Sequence, residues 1–158
     1  MTIQVGDQLP AGTLSIMGEK GPQPITIQEL TEGKKTVIFA VPGAFTPGCS
    51  IAHLPGFVVN ADKIKAKGVD NIVCLAVNDA FVMCAWGKNQ NAEEIIMAGD
   101  GSAAYTKALG LDMDLTSFGM GVRSKRYAML VDNGVVKYLG IDAKDIKDSS
   151  AEAILALL

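Results

Sequence analysis

Thr36-Val37-Ile38-Phe39-Ala40-Val41, stopped by Pro42, precedes a stretch of helical spacing from Pro47 to Lys67, and Ile72-Val73-Cys74-Leu75-Ala76-Val77 follows it. Both apolar runs are uninterrupted and rich in β-branched residues, the pattern of parallel strands buried on both faces. Two parallel strands need a long crossover between them, and this one carries Ile51, Leu54, Val58, Ala61 and Ile64 at three- and four-residue steps. The segment therefore reads as a β-α-β unit. Pro55 falls inside the helical spacing and predicts a kink, and Gly68 is placed to end the helix.

Working outward, Asp79 is a candidate N-cap for a short helix carrying Phe81, Val82, Cys84 and Trp86. A third strand is expected at Glu94-Ile95-Ile96-Met97, and Ser102 is the expected cap of a helix ending at Gly110. Arg126-Tyr127-Ala128-Met129-Leu130-Val131 and Val135-Val136-Lys137-Tyr138-Leu139 flank Asp132-Asn133-Gly134, a strong hairpin signal. Ser149 and Glu152 are spaced as a capping box before a last apolar helix, and roughly the first 30 residues read as a hairpin and a helical turn. The order is β-α-β, a helical insertion with a strand, then β-β-α. That order resembles the thioredoxin-like α/β arrangement, a mixed central sheet flanked by helices, here with an N-terminal extension and a helical insertion.

The chain has 158 residues, and residues 1–158 are expected to form one domain with a core that needs neither metal nor disulfide. Fourteen basic against seventeen acidic residues, with no long run of like charge, point away from nucleic acid and anionic membranes. No apolar run is long enough to span a bilayer and no leader is evident, so a soluble, cytoplasmic protein is expected. The three cysteines, Cys49, Cys74 and Cys84, form no C-x-x-C pair and no secreted disulfide framework. They point to a reducing compartment and to thiol chemistry.

Pro42-Gly43-Ala44-Phe45-Thr46-Pro47-Gly48-Cys49 joins the first buried strand to its crossover helix, where open α/β sheets place their sites. Thr46 then Pro47 reads as N-cap and first helical residue, which puts Cys49 third in the helix. A thiol there meets free N–H groups and the positive end of the helix dipole, which favour the nucleophilic thiolate. A buried cysteine can equally be inert packing. Two prolines bracketing the turn favour function, because packing alone would not need so rigid a loop.

The string Pro42-x-x-x-Thr46-x-x-Cys49 resembles the peroxiredoxin active-site motif. The longer run through Ser50 and His53-Leu54-Pro55-Gly56-Phe57 is similar to the type II, or peroxiredoxin-5, subfamily. Val77-Asn78-Asp79-Ala80-Phe81-Val82, Trp86, Gly121 and Arg123-Ser124-x-Arg126-Tyr127 extend the resemblance over most of the chain.

The resemblance implies a thiol-dependent peroxidase in which Cys49 attacks the peroxide and becomes a sulfenic acid. It implies that Thr46 contributes its hydroxyl, that Pro42 shapes and dries the pocket, and that Arg126 favours the thiolate and binds the peroxide oxygens. Arg123 is left as a supporting or surface residue. Taken alone, Arg126 would read as a solvated arginine at a strand start. His53, the single histidine, lies one helical turn beyond Cys49; a Cys-His dyad is conceivable, and a structural or interface role is the favoured reading.

The sulfenic acid must be returned to thiol. Cys74 sits in a buried strand, yet plant-type members of the subfamily have a cysteine at the matching position. Cys84 has no counterpart to carry over, and the C-terminal resolving cysteine of animal members is missing. Both thiols stay open as resolving groups, and glutathione with glutaredoxin, or thioredoxin, is the expected external reductant. No metal or other cofactor is expected. The resemblance also implies a homodimer with its interface near the active-site loop and Phe81, and hydrogen peroxide and small alkyl hydroperoxides as substrates. Phe45 and Phe118 suggest that an organic substituent is accepted. A peroxide-sensing regulator built on the same cysteine is the alternative.

Overall fold

A computed structural model describes residues 2–158. Its strands are β1 (Thr13–Gly18), β2 (Gly21–Thr26), β3 (Lys35–Val41), β4 (Asn71–Ala76), β5 (Ile96–Gly99), β6 (Asp112–Asp114), β7 (Val122–Ser124), β8 (Arg126–Asp132) and β9 (Val135–Asp142). Its α-helices are α1 (Ile27–Thr31), α2 (Leu54–Ala66), α3 (Ala80–Asn89), α4 (Ala104–Leu109) and α5 (Ala151–Leu155). Seven strands form one mixed sheet in the order β2-β1-β5-β4-β3-β8-β9, while β6 and β7 pair apart from it.

β3 lies inside the sheet because it is apolar on both sides. It runs parallel to β4 and antiparallel to β8, and its residues alternate between two cores. Val37, Phe39 and Val41 face a cluster with Phe57 and Ile64 of α2, Trp86 of α3 and Ile154 of α5. Ile38 and Ala40 face the other cluster, with Leu30 of α1 and Leu109 of α4. The same alternation divides Ile72, Cys74 and Ala76 from Val73 and Leu75 in β4. Uninterrupted hydrophobicity is thus what a strand with helices on both faces requires. The 126–139 hairpin forms as read, with Asn133 at φ 49° and Gly134 at φ 83°, the left-handed pair that a tight two-residue turn needs.

Several local expectations are corrected. The third strand is Ile96–Gly99, two residues later than Glu94–Met97, because pairing with β4 starts at Ile96. Ser102 does not cap α4: the cap position is Ala103 at φ 60°, and the buried Asp100 carboxylate takes the N–H groups of Tyr105 and Thr106. The cap of α5 is Ser150, which accepts from Ala153 N–H, while Ser149 is buried and bonded elsewhere. The capping box of this chain is instead Thr26 with Glu29 at α1. Pro55 does not kink a continuous helix. It lies in the first turn of α2, and the bond it cannot donate is absorbed by a π-helical turn at Cys49–His53, where Leu54 N–H reaches Cys49 O.

Candidate active site

Cys49 opens that π-helical turn, two residues after Pro47 starts the helix, at the C-terminal end of β3. The loop before it is held from several sides. Ala44 N–H donates to Asn78 Oδ1 (3.0 Å), which ties the loop to the segment after β4. Thr46 Oγ1–H donates to Gly43 O (2.7 Å), and Ser50 N–H donates to Thr46 O (2.9 Å). Thr46 therefore starts the helix through its carbonyl; its hydroxyl closes the turn behind it, and its hydroxyl oxygen keeps an acceptor role. Arg123 braces the loop as well, Nε donating to Met120 O (2.9 Å) and Nη1 to Pro42 O (3.4 Å). Phe45 stands at φ 65° and is 52% exposed, a strained position for a residue with a bulky side chain.

Arg126, the first residue of β8, reaches the thiol from the neighbouring strand. Its Nη2–H donates to Cys49 Sγ across 3.2 Å, and its Nη1–H donates to His53 Nδ1 across 2.8 Å. β8 lies next to β3, so Arg126 and Cys49 meet only because the sheet pairs these two strands. The pairing of β6 with β7 joins Met113 to Arg123 three residues upstream, an element the sequence reading missed for want of any hydrophobic alternation.

His53 is 1% exposed, packed at a tilt against Phe39 and Phe57 with ring centroids 5.2 and 5.7 Å away. A guanidinium has no acceptor, so Nδ1 must be the lone-pair nitrogen; Nε2–H then donates to Ser149 O (2.7 Å). Burial lowers its pKa to about 4, with the Arg126 charge adding to the effect against the opposing Ser149 bond and Asp142. A neutral imidazole is the form that can accept from Arg126. His53 is thus packed in the core and turned to Arg126, a contact not foreseen from its place on the helix.

Cys49 and Cys74 belong to the same buried cluster. Cys74 is fully buried in β4, with Phe39 and Met97 beside it on the flanking strands. Burial pushes its thiol well above the ordinary value, and Cys49 adds to the shift. Cys84 is half-buried and lines a separate groove with Ile16, Met17 and Met97. All three are free thiols. Among the described residues no group of three or more His, Cys, Asp or Glu is arranged to hold a metal, and no helix is long and apolar enough to cross a membrane.

The redoxin family matches residues 4–155 of the chain. Peroxiredoxin-2D of Arabidopsis thaliana is 45% identical over 159 residues, covering 99% of this chain and 98% of that protein. The chain belongs to the type II peroxiredoxins of the redoxin family. The chloroplastic peroxiredoxin-2E-2 of Oryza sativa subsp. japonica is 49% identical over 99% of this chain and 73% of that longer protein. Among solved structures, reduced Prx3 of Vibrio vulnificus in complex with H2O2 superposes with a TM-score of 0.95 at 57% identity, over 99% of each chain. Peroxiredoxin 5 of Alvinella pompejana superposes at 0.85 with 35% identity, over 98% of this chain and 96% of that one. As a peroxiredoxin this protein is a thiol-dependent peroxidase on the thioredoxin-like fold expected from its element order.

Proposed function

We propose that the protein reduces hydrogen peroxide and small alkyl hydroperoxides at Cys49. The observation that carries this reading is the Arg126 guanidinium seated against Cys49 Sγ at 3.2 Å. A cation with directed N–H donors stabilises a thiolate and can also hold the oxygens of a peroxide, so charge is met where it shifts during reaction. The likeness to a Vibrio protein whose structure was solved with H2O2 supports the same substrate here.

The thiolate gives an electron pair to the terminal oxygen of ROOH. The S–O bond forms as the O–O bond breaks, and the leaving oxygen takes up a proton and departs as ROH or water. Sulfur is oxidised to sulfenic acid while the peroxide is reduced. Thr46 offers its hydroxyl oxygen beside this path, and Pro42 and the Arg123 brace keep the loop in one shape.

An external thiol then condenses with the sulfenic acid, releasing water and leaving a mixed disulfide that a second thiol reduces. Glutathione with glutaredoxin, or thioredoxin, fits this role in a reducing compartment such as the cytoplasm. The burial of Cys74 between two paired strands supports an external partner over an internal one. A homodimer joined near the active-site loop is supported by the exposure of Phe45 (52%) and Phe81 (63%).

The test is rapid mixing of reduced protein with one equivalent of hydrogen peroxide, followed through the single tryptophan. Trp86 Nε1–H donates to Ser50 Oγ (3.0 Å), next to Cys49, so its emission reports on this turn. A fast transition lost in Cys49→Ser supports the reading. Reaction no faster than that of free cysteine refutes it.

A further inference from the structure

Asp142, the last residue of β9, accepts four hydrogen bonds from the turn that follows it. Oδ2 takes Lys147 N–H (2.8 Å), Ser149 N–H (2.8 Å) and Ser149 Oγ–H (2.7 Å), and Oδ1 takes Asp148 N–H (3.2 Å). The turn is closed from the strand side too, since Tyr138 Oη–H donates to Asp148 O (2.7 Å). A carboxylate gathered by three backbone N–H groups and a hydroxyl fixes the path of residues 147–149 far more tightly than a solvated loop. The group whose position is thereby set is the carbonyl of the fully buried Ser149, and it receives His53 Nε2–H at 2.7 Å.

The contacts form an unbroken line: Asp142 to Ser149, Ser149 O to His53 Nε2, His53 Nδ1 to Arg126 Nη1, and Arg126 Nη2 to Cys49 Sγ. The geometry points to Asp142 as a positioning residue for the peroxide reaction at Cys49, acting through Ser149, His53 and Arg126. It holds the imidazole in the one tautomer that offers Nδ1 as an acceptor, and that acceptor fixes one arm of a fork whose other arm lies on the sulfur. A long arginine side chain with one arm untethered samples other rotamers, and an ångström of misplacement at a reacting centre slows reaction substantially. Asp142 touches neither sulfur nor substrate. The inference rests on the proposed role of Cys49 and Arg126.

The test compares Asp142→Ala, Asp142→Asn and Ser149→Ala with wild type. Three readouts are taken: the rate of Cys49 oxidation by hydrogen peroxide, the rate of Cys49 alkylation at neutral pH, and the ring ¹⁵N shifts of the single histidine. Asp142→Ala is expected to slow oxidation about tenfold or more. It is also expected to slow Cys49 alkylation at neutral pH and to shift the His53 signals away from a pure Nε2–H tautomer. Asp142→Asn, which keeps one acceptor oxygen, should recover part of each change. An oxidation rate within about twofold of wild type, or unchanged His53 signals, overturns the inference even if thermal stability falls. Should Asp142→Ala not fold, the same criteria applied to Asp142→Asn and Ser149→Ala decide. If wild type itself reacts slowly with peroxide, the proposed function fails; the alkylation and ring signals still test the positioning role.

Discussion

Arg126 and Cys49 are 77 positions apart in the chain, and in the fold Arg126 Nη2 donates to Cys49 Sγ across 3.2 Å while Nη1 holds His53. Two arms of one planar group serve two acceptors, which a compact ammonium cannot reproduce. Arg126→Gln and Arg126→Lys are both expected to slow oxidation of Cys49 by peroxide, by about 10² to 10³ for the glutamine variant. Losing the donor to the buried His53 Nδ1 should also cost about 1–3 kcal/mol of stability without unfolding the protein. A drop of less than about threefold in stopped-flow rate would remove Arg126 from the reaction.

Replacing the proposed nucleophile tests the site more directly. Cys49→Ser should reduce peroxide turnover to background with retained secondary structure, because a hydroxyl has no accessible anion at neutral pH. Turnover with a thiol donor that survives in this variant places the chemistry elsewhere.

Burial of His53 makes folding stability depend on pH. Its pKa is near 6.5 in the unfolded chain and about 4 when folded, so between these values the unfolded state binds more protons. Stability is therefore fully present above about pH 6.5 and falls as pH drops toward 4, by about 3 kcal/mol across the window. Urea unfolding of wild type and His53→Gln at pH 7.5 and 4.5 should differ in slope, with the variant lacking this component. Equal losses in both proteins would mean that carboxylates alone govern the acid side.

Gly140 lies where β9 passes under the Asp148 turn. A Cβ added there would overlap the Asp148 carbonyl and stand 2.6 Å from Tyr138 Oη. Gly140→Ala should cost about 1–3 kcal/mol and displace the turn that carries Ser149. Thr26→Ala, which removes the capping box of α1 on the opposite face of the sheet, should cost about 1 kcal/mol without changing the oxidation rate. Denaturant midpoints and stopped-flow rates of the two variants separate a loss at the site from a loss of stability alone.

Cys74 is expected to stay silent in the folded state. Cys74→Val should leave the first oxidation step unchanged and should not prevent recycling by an external thiol, since the residue is enclosed in β4 between two paired strands. Intact mass after one equivalent of peroxide decides: wild type about 2 Da lighter, with the change lost in Cys74→Val, would instead make Cys74 the resolving thiol and require β4 to open.

Residues 36–77 were legible as β-α-β because periodicity is local and these strands are apolar on both sides. The 126–139 hairpin was legible because Asn133-Gly134 specifies its turn. The boundaries that shifted did so where tertiary partners override local preference. Asp100 displaced Ser102 at the start of α4, and Asp142 drew Ser149 away from capping α5, leaving that place to Ser150. Met113 and Arg123 gave no strand signal because β6 and β7 are short and lack an apolar face.

What the sequence determined by itself is a cysteine placed at a strand end and a helix start, since Pro42, Thr46, Pro47 and Cys49 are neighbours and their conformations follow from local chemistry. What only the tertiary structure decided is the company that thiol keeps. Arg126 reaches it because β8 pairs with β3, His53 turns its lone pair to Arg126 because the Ser149 carbonyl claims its other nitrogen, and Ser149 is in place because Asp142 closes the turn. Each of these contacts joins residues far apart in the chain, and no local pattern encodes which distant groups a folded sheet will bring within hydrogen-bonding distance.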